Sequence, residues 1–212
     1  MSRQKELNQY ILDHIDDEDP MLVELDRETH LTVLGARMLS GHLQGQVLSM
    51  ISKMIAPKNI LELGTFTGYS AICLARGLQE GGKLVTIEAN DELEAIAQKY
   101  FKKAGVHHKI EQRIGAALDL IPACTENFDL VFMDADKREY LNYYNLLMER
   151  LQSGAYILAD NTLWNGKVLD EPKADDRQTQ GIIAFNDALK NDHRVEKVIL
   201  PLRDGMTLIR VK

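Results

Sequence analysis

From Asn59 to the end of the chain, short apolar runs alternate with longer amphipathic ones, and this alternation restricts the possible folds more than any other feature. The short runs are NILEL, KLVTIE, KIEQRI, FDLVFMD, AYILAD, VEKVIL and MTLIRV. Most are rich in Val, Ile and Leu, as strands covered on both faces must be. Between them, residues 69–79, 91–104, 140–151 and 178–191 carry apolar side chains at helical spacing. Strand-helix alternation predicts a mostly parallel α/β sheet with helices on both faces and right-handed crossovers. The last two runs, joined through Arg203, Asp204 and Gly205, predict an antiparallel hairpin instead. Open sheets of this kind bind ligands beyond the carboxyl ends of their strands, so the residues just after each run are the candidates for chemistry.

Ahead of the first strand, residues 7–15 and 43–55 show helical periodicity. In the second stretch Leu43, Val47, Met50, Ile51 and Met54 share one face, which reads as core or as a subunit interface. Repeats and Gly/Ser/Pro-rich linkers are absent, so residues 1–212 are expected to form one domain, with a helical region at 1–57 and the Rossmann-like core at 58–212. The chain is 45% hydrophobic and 27% charged, an ordinary globular composition. Its net charge of -7 argues against a nucleic-acid partner, which requires clustered Lys and Arg. No apolar run approaches the roughly 18 residues of a membrane span. With an opening segment too polar for a secretory leader, the cytoplasm is the expected location. Cys73 and Cys124 lack CxxC partners and read as reduced core thiols.

The first strand runs into Glu62-Leu63-Gly64-Thr65-Phe66-Thr67-Gly68-Tyr69-Ser70. Its glycine spacing is GxxxG, preceded by an acid, which suits a cationic, phosphate-free ligand better than the pyrophosphate served by GxGxxG. S-adenosylmethionine (SAM) is such a ligand, and Glu62 is placed to meet its positive end. A tight strand-to-helix turn with no ligand would leave the same residues. Glu88 ends the second strand, where an acid accepts hydrogen bonds from ribose hydroxyls. After the third, Gly115-Ala116-Ala117 leaves room for an adenine ring or simply starts a helix.

The fourth strand ends in Asp134-Ala135-Asp136-Lys137 and the fifth in Asp160-Asn161. If the two are parallel neighbours, Asp134, Asp160 and Asn161 offer three oxygen ligands in one crevice. Such hard donors suit Mg²⁺, with Mn²⁺ or Ca²⁺ as substitutes, rather than zinc. Acids at strand ends also cap helices, and Asp-Asn is a common turn pair. Lys137 is either a proton acceptor or a salt-bridge partner of Asp136. Trp164, Tyr140 and Phe66 are candidate pocket walls, and all six histidines read as structural or solvated.

In order along the chain, GHLQGQ, LELGTFTGYS, the acid at Glu88, VHHKIE, FMDADKREY and ADNTLWNGKV span roughly residues 40–168, with DGMTLIRV near the end. Together they resemble the metal-dependent class I O-methyltransferases that include the caffeoyl-CoA and catechol enzymes. The resemblance implies a seven-stranded sheet with a reversed last strand, an N-terminal helical extension and a homodimer. It implies donor contacts from Ser40, Glu62, Gly64, Thr65, Ser70, Glu88, Ala117 and Asp134, and a divalent cation on Asp134, Asp160 and Asn161. Lys137 matches the general base of catechol-type relatives, while Asp136 and Asn165, beside Trp164, match acceptor contacts. The implied acceptor is a small vicinal diol of the catechol or caffeoyl type. Arg138 and Glu139 depart from the plant caffeoyl-CoA pattern, as does Ala116 where that pattern has proline, and the acidic segment 168–180 reads as a loop over the pocket. Competing readings are a nucleotide-dependent Rossmann oxidoreductase, disfavoured by the absence of GxGxxG, and a non-catalytic interaction module that keeps the donor fold.

Overall fold

Each of the seven apolar runs becomes a strand in the computed structural model, which describes residues 3–212. They are β1 (Asn59–Leu63), β2 (Lys83–Glu88), β3 (Ile110–Ile114), β4 (Leu130–Met133), β5 (Tyr156–Asp160), β6 (Val195–Leu200) and β7 (Met206–Val211). One sheet holds them in the order β3-β2-β1-β4-β5-β7-β6. β1 pairs in parallel with β2 and β4, β4 with β5 and β2 with β3, while β7 runs antiparallel to β5 and β6. The order reverses direction at β1 and β4, so a crevice opens between their carboxyl ends. The most polar runs, IEQRI and VEKVIL, fall at the two edges, where one flank faces water.

Alternation along the strands divides the core into two layers. Leu61, Leu63, Val85, Val131, Met133 and Ile157 pack on one face against α6 (Ala117–Ala123), α7 (Tyr140–Met148) and α8 (Arg177–Asn191). Ile60, Leu84, Leu130, Phe132 and Leu158 pack on the other against α2 (Pro20–Thr32), α3 (Gly41–Ile55), α4 (Tyr69–Ala75) and α5 (Glu94–Lys103). α1 (Arg3–Asp13) precedes them. The helix over 20–32 has no counterpart in the periodicity reading. Its start is nonetheless written in Asp19, whose carboxylate accepts the Met21 N–H, followed by Pro20 in the first turn.

Of the two readings of the α3 stripe, placement in the core is corrected by the structure. Gln44, Gly45, Leu48, Ser49 and Ser52 face inward, whereas Met50 is 57% and Met54 78% exposed. Small residues win the inner face because α4 lies so close. A Cβ at Gly45 would stand 2.6 Å from the Tyr69 ring. The segment expected as a loop at 168–180 is shorter, since α8 starts at Arg177 with Asp176 accepting the Thr179 N–H. Among the described residues no helix is long and apolar enough to cross a membrane.

Phe185 on α8 is fully buried and makes edge-to-face contacts with Tyr140 and Tyr144 at 5.6 and 5.7 Å. Phe185→Ala is expected to cost about 3–5 kcal/mol, read as a lowered denaturant midpoint with an unchanged slope.

Candidate active site

At the end of β1 the backbone takes left-handed conformations at Gly64 (φ 96°), Phe66 (φ 48°) and Gly68 (φ 91°). A Cβ at Gly64 would run into the Asp134 carbonyl, and one at Gly68 would lie 2.6 Å from the Phe101 ring. Glycine is therefore a steric requirement at both positions. The turn is held by Gly64 N–H donating to the Ile87 carbonyl at 2.9 Å and Phe66 N–H donating to Glu88 Oε2 at 2.8 Å. Glu88 also accepts the Asn90 N–H at 3.0 Å, which leaves the acid fixed at the cleft wall.

A cleft of about 1660 Å³ opens above these strand ends. Ser40, Gly64, Thr65, Ser70, Glu88 and Ala117 line it. Asp134, Asp136, Lys137, Asp160, Asn161, Trp164 and Asn165 line it as well, with the Asp134 carbonyl directly against Gly64. Tyr140, expected as a pocket wall, stands behind the lining, and so does Glu62, fully buried. Its Oε2 accepts the Thr86 hydroxyl at 2.5 Å, and Thr86 lies 2.6 Å from the Thr65 hydroxyl. Burial pushes the Glu62 carboxyl up to about 8; hydrogen bonds from Ser70 and Thr86 offset part of this, and the charges of Asp134 and Glu88 add to it.

Asp134 and Asp160 follow neighbouring parallel strands, and each is held by a different kind of group. Lys137 Nζ donates to Asp134 Oδ1 at 2.5 Å and to the Tyr140 hydroxyl at 2.7 Å. The Tyr140 hydroxyl lies 2.9 Å from the Met133 carbonyl and 3.0 Å from that of Asp160, so this buried ring ties β4 to β5 at their tips. The alternative partner for Lys137 is thereby overturned: Asp136 is taken by Arg138, whose guanidinium holds the Asp136 carboxyl below the usual range. Asp160 Oδ2 accepts from Gln44 Nε2 at 2.6 Å and Oδ1 from the Asn161 N–H at 2.8 Å. Burial, and then the charge of Asp134, pushes its carboxyl up to about 6.

Two carboxylates and an amide on one wall form an all-oxygen donor set, and the demand of buried Asp160 for positive charge fits a hard divalent cation. Among the described residues no three His, Cys, Asp or Glu side chains converge, so a cation here needs oxygen donors beyond carboxylates, and the Asn161 amide is one at hand. Beyond it, Asn161 (φ 58°), Trp164 (φ 49°) and Asn165 (φ 53°) all adopt left-handed backbone. Strain of this kind persists only where the surroundings over-determine it. The buried Trp164 Nε1 has no hydrogen-bond partner among the described residues.

Gln44, Tyr140 and Arg203 carry this geometry, yet sequence reasoning gave the first and third no role and the second only that of a wall. The signal for Gln44 was its place inside GHLQGQ, although helical periodicity favoured the opposite face. His107 and His108 are exposed, as expected.

Residues 13–212 match the family described as O-methyltransferase. Caffeoyl-CoA O-methyltransferase 2 of Petunia hybrida is 40% identical over 178 residues, covering 79% of this chain and 74% of that protein. Caffeoyl-CoA O-methyltransferase of Medicago sativa is 39% identical over 178 residues, covering 79% and 72%. Among solved structures, the O-methyltransferase TomG of Streptomyces achromogenes, in complex with SAM, superposes with a TM-score of 0.92 at 30% identity over 100% of this chain and 99% of that one. The O-methyltransferase of Bacillus cereus, in complex with SAH, gives 0.91 at 31% identity over 98% and 97%.

Because the Glu62 carboxyl rises from 4.5 unfolded to about 8 folded, the folded chain holds an extra proton between those values. Its contribution is complete below the lower value and is lost as pH rises through the upper one. In the ligand-free protein, Glu62→Gln should remove that loss. Thermal midpoints of the two proteins, measured from acid to mildly alkaline pH, should diverge increasingly in favour of the variant.

Proposed function

Because this chain belongs to the O-methyltransferase family, we propose that it transfers a methyl group from SAM to one hydroxyl of a small vicinal diol, of the catechol or caffeoyl type, with the help of a divalent cation. The observation that carries this reading is the shared cleft, which Asp134, Asp160 and Asn161 line together with the glycine turn and Glu88. As the acceptor oxygen bonds to the methyl carbon, the carbon-sulfur bond breaks and the sulfonium leaves as a neutral thioether. The hydroxyl proton must leave as well. A phenol with a pKa near 10 is ionised in only about one molecule per thousand at neutral pH. A cation on Asp134, Asp160 and Asn161 would supply Lewis-acid help with that ionisation and a template for two adjacent oxygens.

The chain's own residues do the rest. Glu88 receives the donor ribose, with Ser40, Thr65 and Ser70 along the same wall and Ala117 beside the adenine. Glu62, behind Gly64, keeps its proton at neutral pH until a cationic donor favours its loss, and only then turns negative charge toward the methionine end. Lys137 Nζ, its position fixed by Asp134 and the Tyr140 hydroxyl, takes the acceptor's proton after first giving up one of its own to solvent. Trp164, Asn165 and Asp136 bound the acceptor, and Trp164 excludes water from the sulfonium. Since positive and negative charge disappear together during attack, an apolar wall suits the reaction. A homodimer is supported by the exposed stripe of Met50 and Met54 on α3 and by Leu7 and Tyr10 on α1.

Labelled SAM with a panel of catechols, caffeate, caffeoyl-CoA and flavonoids, each with and without Mg²⁺, tests the activity. Turnover is expected only for vicinal diols and should be abolished by chelator. Asp160→Ala should eliminate cation-dependent turnover with SAM affinity retained; an undiminished rate would refute the ligand assignment. Replacing both Met50 and Met54 by Glu should shift the mass measured by light scattering from dimer to monomer.

A further inference from the structure

Gln44 lies on the inner face of α3, 1% exposed, with both ends of its amide engaged. Its Oε1 accepts from Arg203 Nη1, and its Nε2 donates to Asp160 Oδ2 at 2.6 Å. The orientation of the amide is not arbitrary. A guanidinium can only donate, so the oxygen must face Arg203 and the N–H must face Asp160. Arg203 itself sits in the turn between β6 and β7 with left-handed backbone (φ 49°), and it also donates to the Leu39 and Ser40 carbonyls. Three elements distant in sequence therefore meet at one side chain: α3, the end of β5 and the β6–β7 turn.

We propose that Gln44 is a positioning residue, oriented by Arg203, that holds the Asp160 carboxylate in place to bind a divalent cation. The inference rests on the cation reading above and adds a residue that reading did not use. A neutral donor is what this position requires. Lys or Arg would neutralise the carboxylate and compete with a cation for it, as Lys137 does at Asp134. An amide N–H fixes Oδ2, the Asn161 N–H fixes Oδ1, and each carboxylate oxygen keeps a lone pair free. Arg203 stands one residue further away and touches no proposed ligand, so it can act on Asp160 only through Gln44. Groups that orient metal ligands in this way are commonly worth about 10–100-fold in metal affinity.

The test is isothermal titration of the full-length protein with Mn²⁺, without acceptor, alongside SAM binding measured without metal. Gln44→Met keeps the volume and removes both hydrogen bonds. It should weaken Mn²⁺ by about 10–100-fold while SAM affinity and the circular dichroism spectrum stay unchanged. Arg203→Met should weaken Mn²⁺ in the same direction by less, and it tests the same link from the other end should Gln44→Met not fold. The double variant should bind Mn²⁺ no more weakly than Gln44→Met alone, because residues acting in series are not additive. Unchanged Mn²⁺ affinity in either single variant, or additive losses in the double, would overturn the inference while leaving the cation reading intact. Failure of the unaltered protein to bind Mn²⁺ would instead overturn the cation reading and this inference with it.

Discussion

Asp134 N–H donates to the Leu63 carbonyl at 2.9 Å, extending the parallel pairing of β1 and β4 one step past both strands. That bond sets how the two halves of the cleft meet. It brings the Asp134 carbonyl so near Gly64 that no side chain fits between them, which makes the glycine turn and the acidic wall contiguous. The β4–β5 pairing then carries Asp160 to the same height, and the Tyr140 hydroxyl bridges the two strand tips. The relation between donor turn and acidic wall is therefore fixed by strand register, which is cooperative and stiff, and does not depend on loop conformation.

Electrostatics follow from that placement. Strand register buries carboxylates at Glu62 and Asp160, and in both cases burial is the largest cause of the upward shift. Each also feels Asp134, so positive charge is favoured beside both. A sulfonium beside one and a divalent cation beside the other would supply it. Lys137, the buried cation beside these carboxylates, is tied to Asp134.

Much of this was legible in the sequence because its determinants are local. The β strands announced themselves as apolar runs, and the reversed last strand as a hairpin through Gly205. Asp134, Asp160 and Asn161 could be named because strand ends in such sheets point to one edge. What stayed hidden depended on tertiary contacts. The inner face of α3 is set by close approach to Tyr69, which selects Gly45 and Ser49 over Met50 and Met54, so the apolar stripe lies outside the core. Gln44 was passed over for the same reason: a polar residue on a helix looks solvated until its two partners, one 116 and the other 159 positions away, are known. Lys137 had two acids in reach, and only the pairing of Arg138 with Asp136 decides between them.

The left-handed stretch at Asn161, Trp164 and Asn165 is anchored to the β6–β7 turn. Thr162 N–H donates to the Gly205 carbonyl at 3.0 Å, Leu163 N–H to the Asp204 carbonyl at 2.9 Å, and Asn165 N–H to the Asp204 carboxylate. A Cβ at Gly205 would sit 2.8 Å from that of Leu163, so the two segments interlock. The rim on the Trp164 side is in effect cast against this hairpin, whose Arg203 also grips the Ser40 carbonyl. Sequence drift in that hairpin would therefore recast the Trp164 rim, giving the scaffold a way to vary its cleft from a single exchangeable mould.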